Sequence, residues 1–313
     1  MNRRAFLGLA AGAAALAAME KTMQIIDTHI HLFDPNRPQG VPWPTKDDGI
    51  LYQPTLPDRY RKVTQGFGIS GAIAIECSPW VEDNDWLLET AARDTIIVGV
   101  VGNLEPGTAD FHTRLDQLSR NPLFRGIRYG NLWGRDLNAQ VAKPEFISGL
   151  KTLADAGLSL DTANPDPALV GAVVRITDRV PNLRVVIDHL PQLDPPPDPR
   201  SLDALRSNLR ELGAKPQVYV KISEVLRRVD GRVPTDLGFY RARLDEIWQT
   251  FGENRLMFGS DWPNSDRWGT YPEVFRIAHD YVASKGASVE EKFFSKNSIA
   301  AYKWRGHGAT SSG

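Results

Sequence analysis

The stretch IIDTHIHLFD, residues 25–34, sets two of the chain's six histidines two positions apart at the end of an apolar run. On a strand, residues i and i+2 point to the same face, so His29 and His31 project together where the strand ends. The same alternation puts Ile25, Asp27, His29 and His31 on one face and Ile26, Thr28 and Ile30 on the other. With the first set turned inward, both imidazoles stand at the mouth of the sheet. Asp27 then lies one layer below, where a carboxylate can orient an imidazole.

Working outward, seven more short β-rich runs follow: GAIAIEC from Gly71, TIIVGVV from Thr95, FRGIRYG from Phe124, LSLDTA from Leu158, RVVIDHL from Arg184, QVYVKIS from Gln217 and RLMFGSD from Arg255. Several are continuous in Val and Ile, as in strands covered on both faces by helices. Amphipathic stretches such as NDWLLETAARD, PEFISGLKTLADAG, PALVGAVVRITDRV and GFYRARLDEIWQTFG lie between them. Eight strands with intervening helices predict a closed (β/α)8 barrel, a TIM barrel in one domain. A doubly wound open sheet is the competing architecture, but no Gly-rich phosphate turn follows the first run. Two Pro-stiffened loops, from Phe33 to about Pro57 and PQLDPPPDPR after His189, each follow a strand. Both are therefore expected on the C-terminal rim, where barrel enzymes keep their sites.

With 37 basic and 38 acidic side chains the chain has a formal net charge of -1, so it lacks the basic footprint of a nucleic-acid binder and a small molecule is the expected partner. A single cysteine, Cys77, excludes an internal disulfide and a Cys-rich zinc site, so any metal must use His and carboxylate. Residues 1–18, with paired Arg3 and Arg4 before an Ala-rich run, resemble a twin-arginine export signal and predict a periplasmic protein. A start at Met19 or Met23 would instead leave it in the cytoplasm. No later run is apolar enough to span a bilayer, so no stable membrane association is expected after export. Residues 19–305 are then the barrel and 306–313 a disordered tail. Nothing in the sequence fixes an oligomeric state.

His189 in VVIDHLP and Asp261 in LMFGSDWP each follow an apolar run directly and precede a Pro, the same end-of-strand position as the first pair. Three histidines and an aspartate from strands one, six and eight are thus predicted to converge on one rim. His112, His279 and His307 lie on helices or in the tail and carry no functional reading. Arg128, inward on the fourth run, needs a partner if it is buried. A substrate carboxylate would serve, and so would an internal acid. Glu76 is expected to line the pocket or to pair with Arg128. Trp262, Trp80 and Lys221 are further rim candidates.

DTHIHLFD, GIRYG, VIDHLP, GSDWP and the terminal KFFSKNSIAAYKW resemble the amidohydrolase superfamily, more narrowly its Amidohydrolase 2 branch of lactonases and decarboxylases. The resemblance implies a distorted (β/α)8 barrel with its site at the strand C-termini, and it spans residues 24 to about 305. It casts His29, His31, His189 and Asp261 as catalytic residues and as the ligands of one divalent metal, zinc first, with a metal-free reaction as the alternative. The fifth run reads LSLDTANP and the fourth offers Arg128, so the fifth-strand histidine and bridging lysine of two-metal members are missing.

The chemistry implied is hydrolysis of a cyclic ester, a sugar-acid or aromatic-catabolite lactone. Asp261 would accept a proton from the attacking water, and the histidines or a metal would stabilise the oxyanion. Arg128, Glu76 and Trp262 would bind substrate. A decarboxylase of the same barrel type is the nearest competitor, and a barrel that binds a ligand without turnover is the competitor from another class.

Overall fold

The computed structural model describes residues 23–189 and 196–306. The export-signal stretch, most of the second Pro-rich loop's first half, and His307 with the tail lie outside the described residues. All eight apolar runs form strands: β1 Ile25–Ile30, β2 Ile69–Ile75, β3 Ile97–Gly102, β4 Phe124–Arg128, β5 Ser159–Asp161, β6 Arg184–Ile187, β7 Val218–Ile222 and β8 Leu256–Phe258. They pair in sequence order, every pair parallel, as a (β/α)8 barrel requires. Parallel neighbours need a crossover, and helices supply it.

Two of those helices have their starts written into the sequence as Asp-Pro pairs. Asp166 caps Pro167–Arg179 by accepting the Leu169 N–H, and Asp198 caps Pro199–Gly213 by accepting that of Ser201. In each case the Pro fills an early position whose N–H would have no partner. Thr270 and Glu273 close a capping box on Tyr271–Ala283. The helices' apolar faces then pack on the outer face of the sheet in one continuous core. A second, smaller core fills the interior of the barrel, where Ile26, Ile73, Val186 and Met257 meet Tyr302, which ends the helix Asn297–Tyr302, and Trp304 just beyond it. No helix among the described residues is long and apolar enough to cross a membrane.

The barrel closes irregularly. Between β8 and β1 there is no regular ladder; the seam is sewn by Thr28 Oγ1–H donating to the Phe258 carbonyl (2.6 Å), the Asp261 N–H to the His29 carbonyl (2.8 Å) and the His31 N–H to the Trp262 carbonyl (2.8 Å). The register of β1 against β2 also slips between Asp27 and Ile30. That slip corrects the strict alternation read from the sequence. Ile26, not Ile25, packs inside the barrel, while the Asp27 carboxylate meets Tyr60 and Tyr271 from the helical layer. The histidines still point to one place, their Nε2 atoms 3.3 Å apart.

Candidate active site

The segments that follow β4 to β8 each bring one strained residue to the rim. Trp133, Asn164, His189, Glu224 and Asp261 have φ of 60, 50, 67, 46 and 60°, the left-handed region that non-glycine residues avoid. All five line one open cup, together with His31, Trp43, Cys77, Arg128, Leu132 and Asn264. Strain of order 1 kcal/mol at each residue persists only where the surroundings fix it, and its concentration on one rim marks the site. Gly259 makes room for the cluster, since a Cβ there would stand 2.9 Å from the His29 Cβ.

Within the cup His29 Nε2, His31 Nε2 and Asp261 Oδ1 form a near-equilateral triangle. The separations are 3.3 Å between the imidazoles, 3.4 Å from His29 to Asp261 and 3.2 Å from His31 to Asp261. Bonds of about 2.0–2.1 Å to a tetrahedral ion would set ligand atoms about 3.3 Å apart, so the triangle fits one divalent cation with a coordination position to spare. The proton inventory agrees. His31 Nδ1 lies 3.0 Å from the Ile75 carbonyl, which can only accept, so Nδ1 carries a hydrogen and, in a neutral ring, Nε2 turns a lone pair on a carboxylate oxygen. Two acceptors that close call for a donor hydrogen or a cation beside them. Asp261 Oδ2 is separately held by the Asn264 side-chain N–H at 2.7 Å.

His189 approaches from the other side of Asp261. Its ring stacks obliquely 4.7 Å from that of His29, and its Nδ1 meets Ser223 Oγ at 2.9 Å. With Glu224 and Asp261 it forms a second set of three donors, so the four residues expected on one ion divide into two sets that share Asp261. Burial holds His189 down to about 4, and burial and then the Lys221 ammonium hold His29 well below the usual imidazole range. Both rings are neutral at physiological pH.

Beneath the cup lies an ion network that the sequence did not reveal. Lys221 Nζ, fully buried, stands 2.8 Å from both Asp161 Oδ2 and Asp188 Oδ1 and 3.3 Å from His29 Nδ1. Tyr302 donates to Asp161 Oδ2 at 2.6 Å from the barrel floor. Burial alone would raise Asp188, but Lys221, His29 and Arg128 together hold it well below the carboxylate range. Burial and the Asp188 charge raise Asp161 to about 6 against the pull of Lys221.

The residues expected to bind substrate separate. Arg128 lines the cup, yet its Nε is 3.0 Å from Asp188 Oδ2, so an internal acid is its partner. Glu76 is only a distant second partner at 3.9 Å; its Oε2 accepts the Ser78 N–H and the Trp133 indole N–H instead. It lines a narrower adjoining cavity with Trp80 and Arg37. Trp262 is fully buried against Tyr60 at 5.4 Å and under Arg59, away from the cup; its backbone, not its ring, serves the site. Lys221 sits below the rim, not on it. Asp27 accepts the backbone N–H groups of His29 and Ser260 and two phenols, and touches no imidazole.

Trp43, Trp133, Asn164, Glu224 and Asn264 complete the lining without having been singled out. Trp43 comes from the first long rim loop and sets its ring 5.9 Å from that of His31, as a covering loop would. The available signals were position after a strand for Asn164 and Glu224, and three residues beyond Asp261 for Asn264.

Comparison with known proteins bears on the same residues. The family profile described as Amidohydrolase matches residues 26–304. An L-fucono-1,5-lactonase of Burkholderia ambifaria is 29% identical over 245 residues, 77% of this chain and 80% of the relative. One of Burkholderia multivorans is 28% identical over 273 residues, 85% and 90% of the two chains. A crystal structure of an amidohydrolase from Burkholderia multivorans with bound zinc superposes with a TM-score of 0.80 at 25% identity, covering 90% of this chain and all of that one.

Proposed function

Since the chain belongs to the amidohydrolase family, we propose that it hydrolyses an uncharged sugar-acid 1,5-lactone, the cyclic ester named in its curated relatives. The observation that carries this reading is a fully buried carboxylate, Asp261, anchored at one oxygen by Asn264 and set with the other against the His29 and His31 imidazoles at an open cup. That is the arrangement of a base with room for water and a carbonyl beside it.

Asp261 Oδ1 takes a proton from water as its oxygen bonds to the lactone carbonyl carbon. His189 supports the developing oxyanion in the tautomer in which Ser223 donates to Nδ1 and Nε2 carries the hydrogen. The ring C–O bond then breaks, and Asp261 returns its proton to the leaving alkoxide. A zinc ion held by His29, His31 and Asp261 would supply Lewis-acid polarisation of the carbonyl. Trp43 and Trp133 offer flat apolar faces to the C–H side of a sugar ring, and Asn164 and Glu224 offer polar groups to its hydroxyls.

The absence of charge on the substrate follows from Arg128. Among the described residues it is the one Lys or Arg lining the cup, and Asp188 already meets its charge. The sequence LPQLDP at 190–195 adds no cation. A pH-indicator assay of L-fucono-1,5-lactone and other aldono-1,5-lactones, with and without added zinc, tests the reading, with 2-pyrone-4,6-dicarboxylate as the charged control. Turnover of the dicarboxylate in preference to every neutral lactone would overturn it. Arg3 and Arg4 ahead of the Ala-rich run further support export by the twin-arginine route, which replacement of both by Lys should block in a fractionation experiment.

A further inference from the structure

The reaction proposed above makes no use of Lys221, although a fully buried ammonium is among the costliest groups a barrel interior can hold. Two of its three N–H bonds are met by Asp161 and Asp188 at 2.8 Å each, and the third faces His29 Nδ1 at 3.3 Å. An ammonium has no lone pair, so toward His29 it can only donate, and Nδ1 must accept. In a neutral imidazole that places the hydrogen on Nε2. Nε2 in turn faces two acceptors, His31 Nε2 at 3.3 Å and Asp261 Oδ1 at 3.4 Å. A consistent relay of donors therefore runs from Lys221 through His29 to the cup.

Cation binding needs the opposite tautomer. For Nε2 to offer a lone pair to a metal, the hydrogen must sit on Nδ1, and the acceptor beside Nδ1 is Asp188 Oδ1 at 3.6 Å. We propose that Lys221 and Asp188 are opposed positioning residues that select the tautomer of His29. Lys221 holds the cup in its internally hydrogen-bonded form and weakens cation capture; Asp188 draws the Nδ1 hydrogen and favours it. The inference rests on the His29, His31 and Asp261 set as a cation site and is independent of which ring is opened.

The test uses the full chain, stripped of metal and labelled with 15N at histidine. Long-range 15N–1H correlation spectra should show His29 as the Nε2–H tautomer in the wild type and as Nδ1–H in Lys221→Met. Zinc affinity, read by competition with a chromophoric chelator, should rise about tenfold or more in Lys221→Met, the scale on which partners of metal-binding histidines act. Because the single variant leaves two buried carboxylates without their ammonium, Lys221→Met/Asp161→Asn removes one charge of each sign and carries the test if the single variant does not fold. An Nδ1–H tautomer in the metal-free wild type, or zinc affinity unchanged in the charge-balanced variant, would overturn the inference. A wild type that captures no zinc while the variant does would uphold it and remove zinc from the proposed reaction.

Discussion

Arg128 Nε lies 3.0 Å from Asp188 Oδ2 inside the barrel, so the guanidinium reaches the cup with its charge already balanced. Removing one partner of such a pair leaves the other buried and undercompensated. Arg128→Met should therefore lower unfolding free energy by on the order of 3 kcal/mol in urea titrations, with Lys221 moderating the loss. A variant as stable as the wild type, with only KM raised, would return Arg128 to the role of a free substrate clamp.

Asp261→Asn keeps the shape of the side chain and an acceptor for Asn264 while removing the base. We expect kcat on a sugar lactone to fall roughly 10³-fold, within the range for loss of a general base. Circular dichroism should be unchanged. A loss of less than tenfold would move proton transfer to another residue, Glu224 being the nearest carboxylate in the same donor set.

The eight strands were legible because a parallel barrel demands continuous β-branched runs, and the rim positions of His29, His31, His189 and Asp261 followed from where those runs stop. Two things were not. Alternation places Asp27 and His29 on one face, but the register slip between Asp27 and Ile30 sends their side chains to opposite sides of the sheet, and no residue type in DTH announces a bulge. The partner of Arg128 was hidden for a related reason: Asp188 stands next to His189 in sequence, so period-two logic assigns it the other face, whereas His189 lies past the strand end with φ of 67° and both side chains turn inward.

Cys77 lines the cup, and its thiol is pushed up by burial and then by the neighbouring Glu76 charge. Thiolate, the reactive form, is correspondingly scarce at neutral pH. Alkylation by iodoacetamide at pH 8 should be at least about tenfold slower than that of a free cysteine with a pKa near 8.5. Its rate should keep rising with pH beyond 9, and a slowly hydrolysed lactone analogue should slow it further. Rapid alkylation that such a ligand leaves unaffected would place Cys77 outside the cup wall.

Asp27 is a fastener of the β1–β8 seam. Its Oδ1 accepts the backbone N–H groups of Ser260 and His29 at 2.8 and 3.2 Å, and its Oδ2 accepts the hydroxyls of Tyr60 and Tyr271 at 2.9 and 3.1 Å. Tyr60→Phe removes one charge-assisted bond, which should cost about 1.5–3 kcal/mol of stability and leave kcat within a factor of two. A large fall in kcat would restore Asp27 to a place in the chemistry. The pH dependence gives a second check. Burial raises the Asp27 pKa above its ordinary value of 3.8. The folded chain then binds this proton more readily than the unfolded chain, and the stability of the wild type relative to Asp27→Asn must decline as pH rises from that value through the folded one. Urea titrations of both proteins from pH 4 to 7 should show the wild type losing ground across the lower part of that range; a wild type that gains instead would mean that the four donors, not burial, dominate this carboxylate.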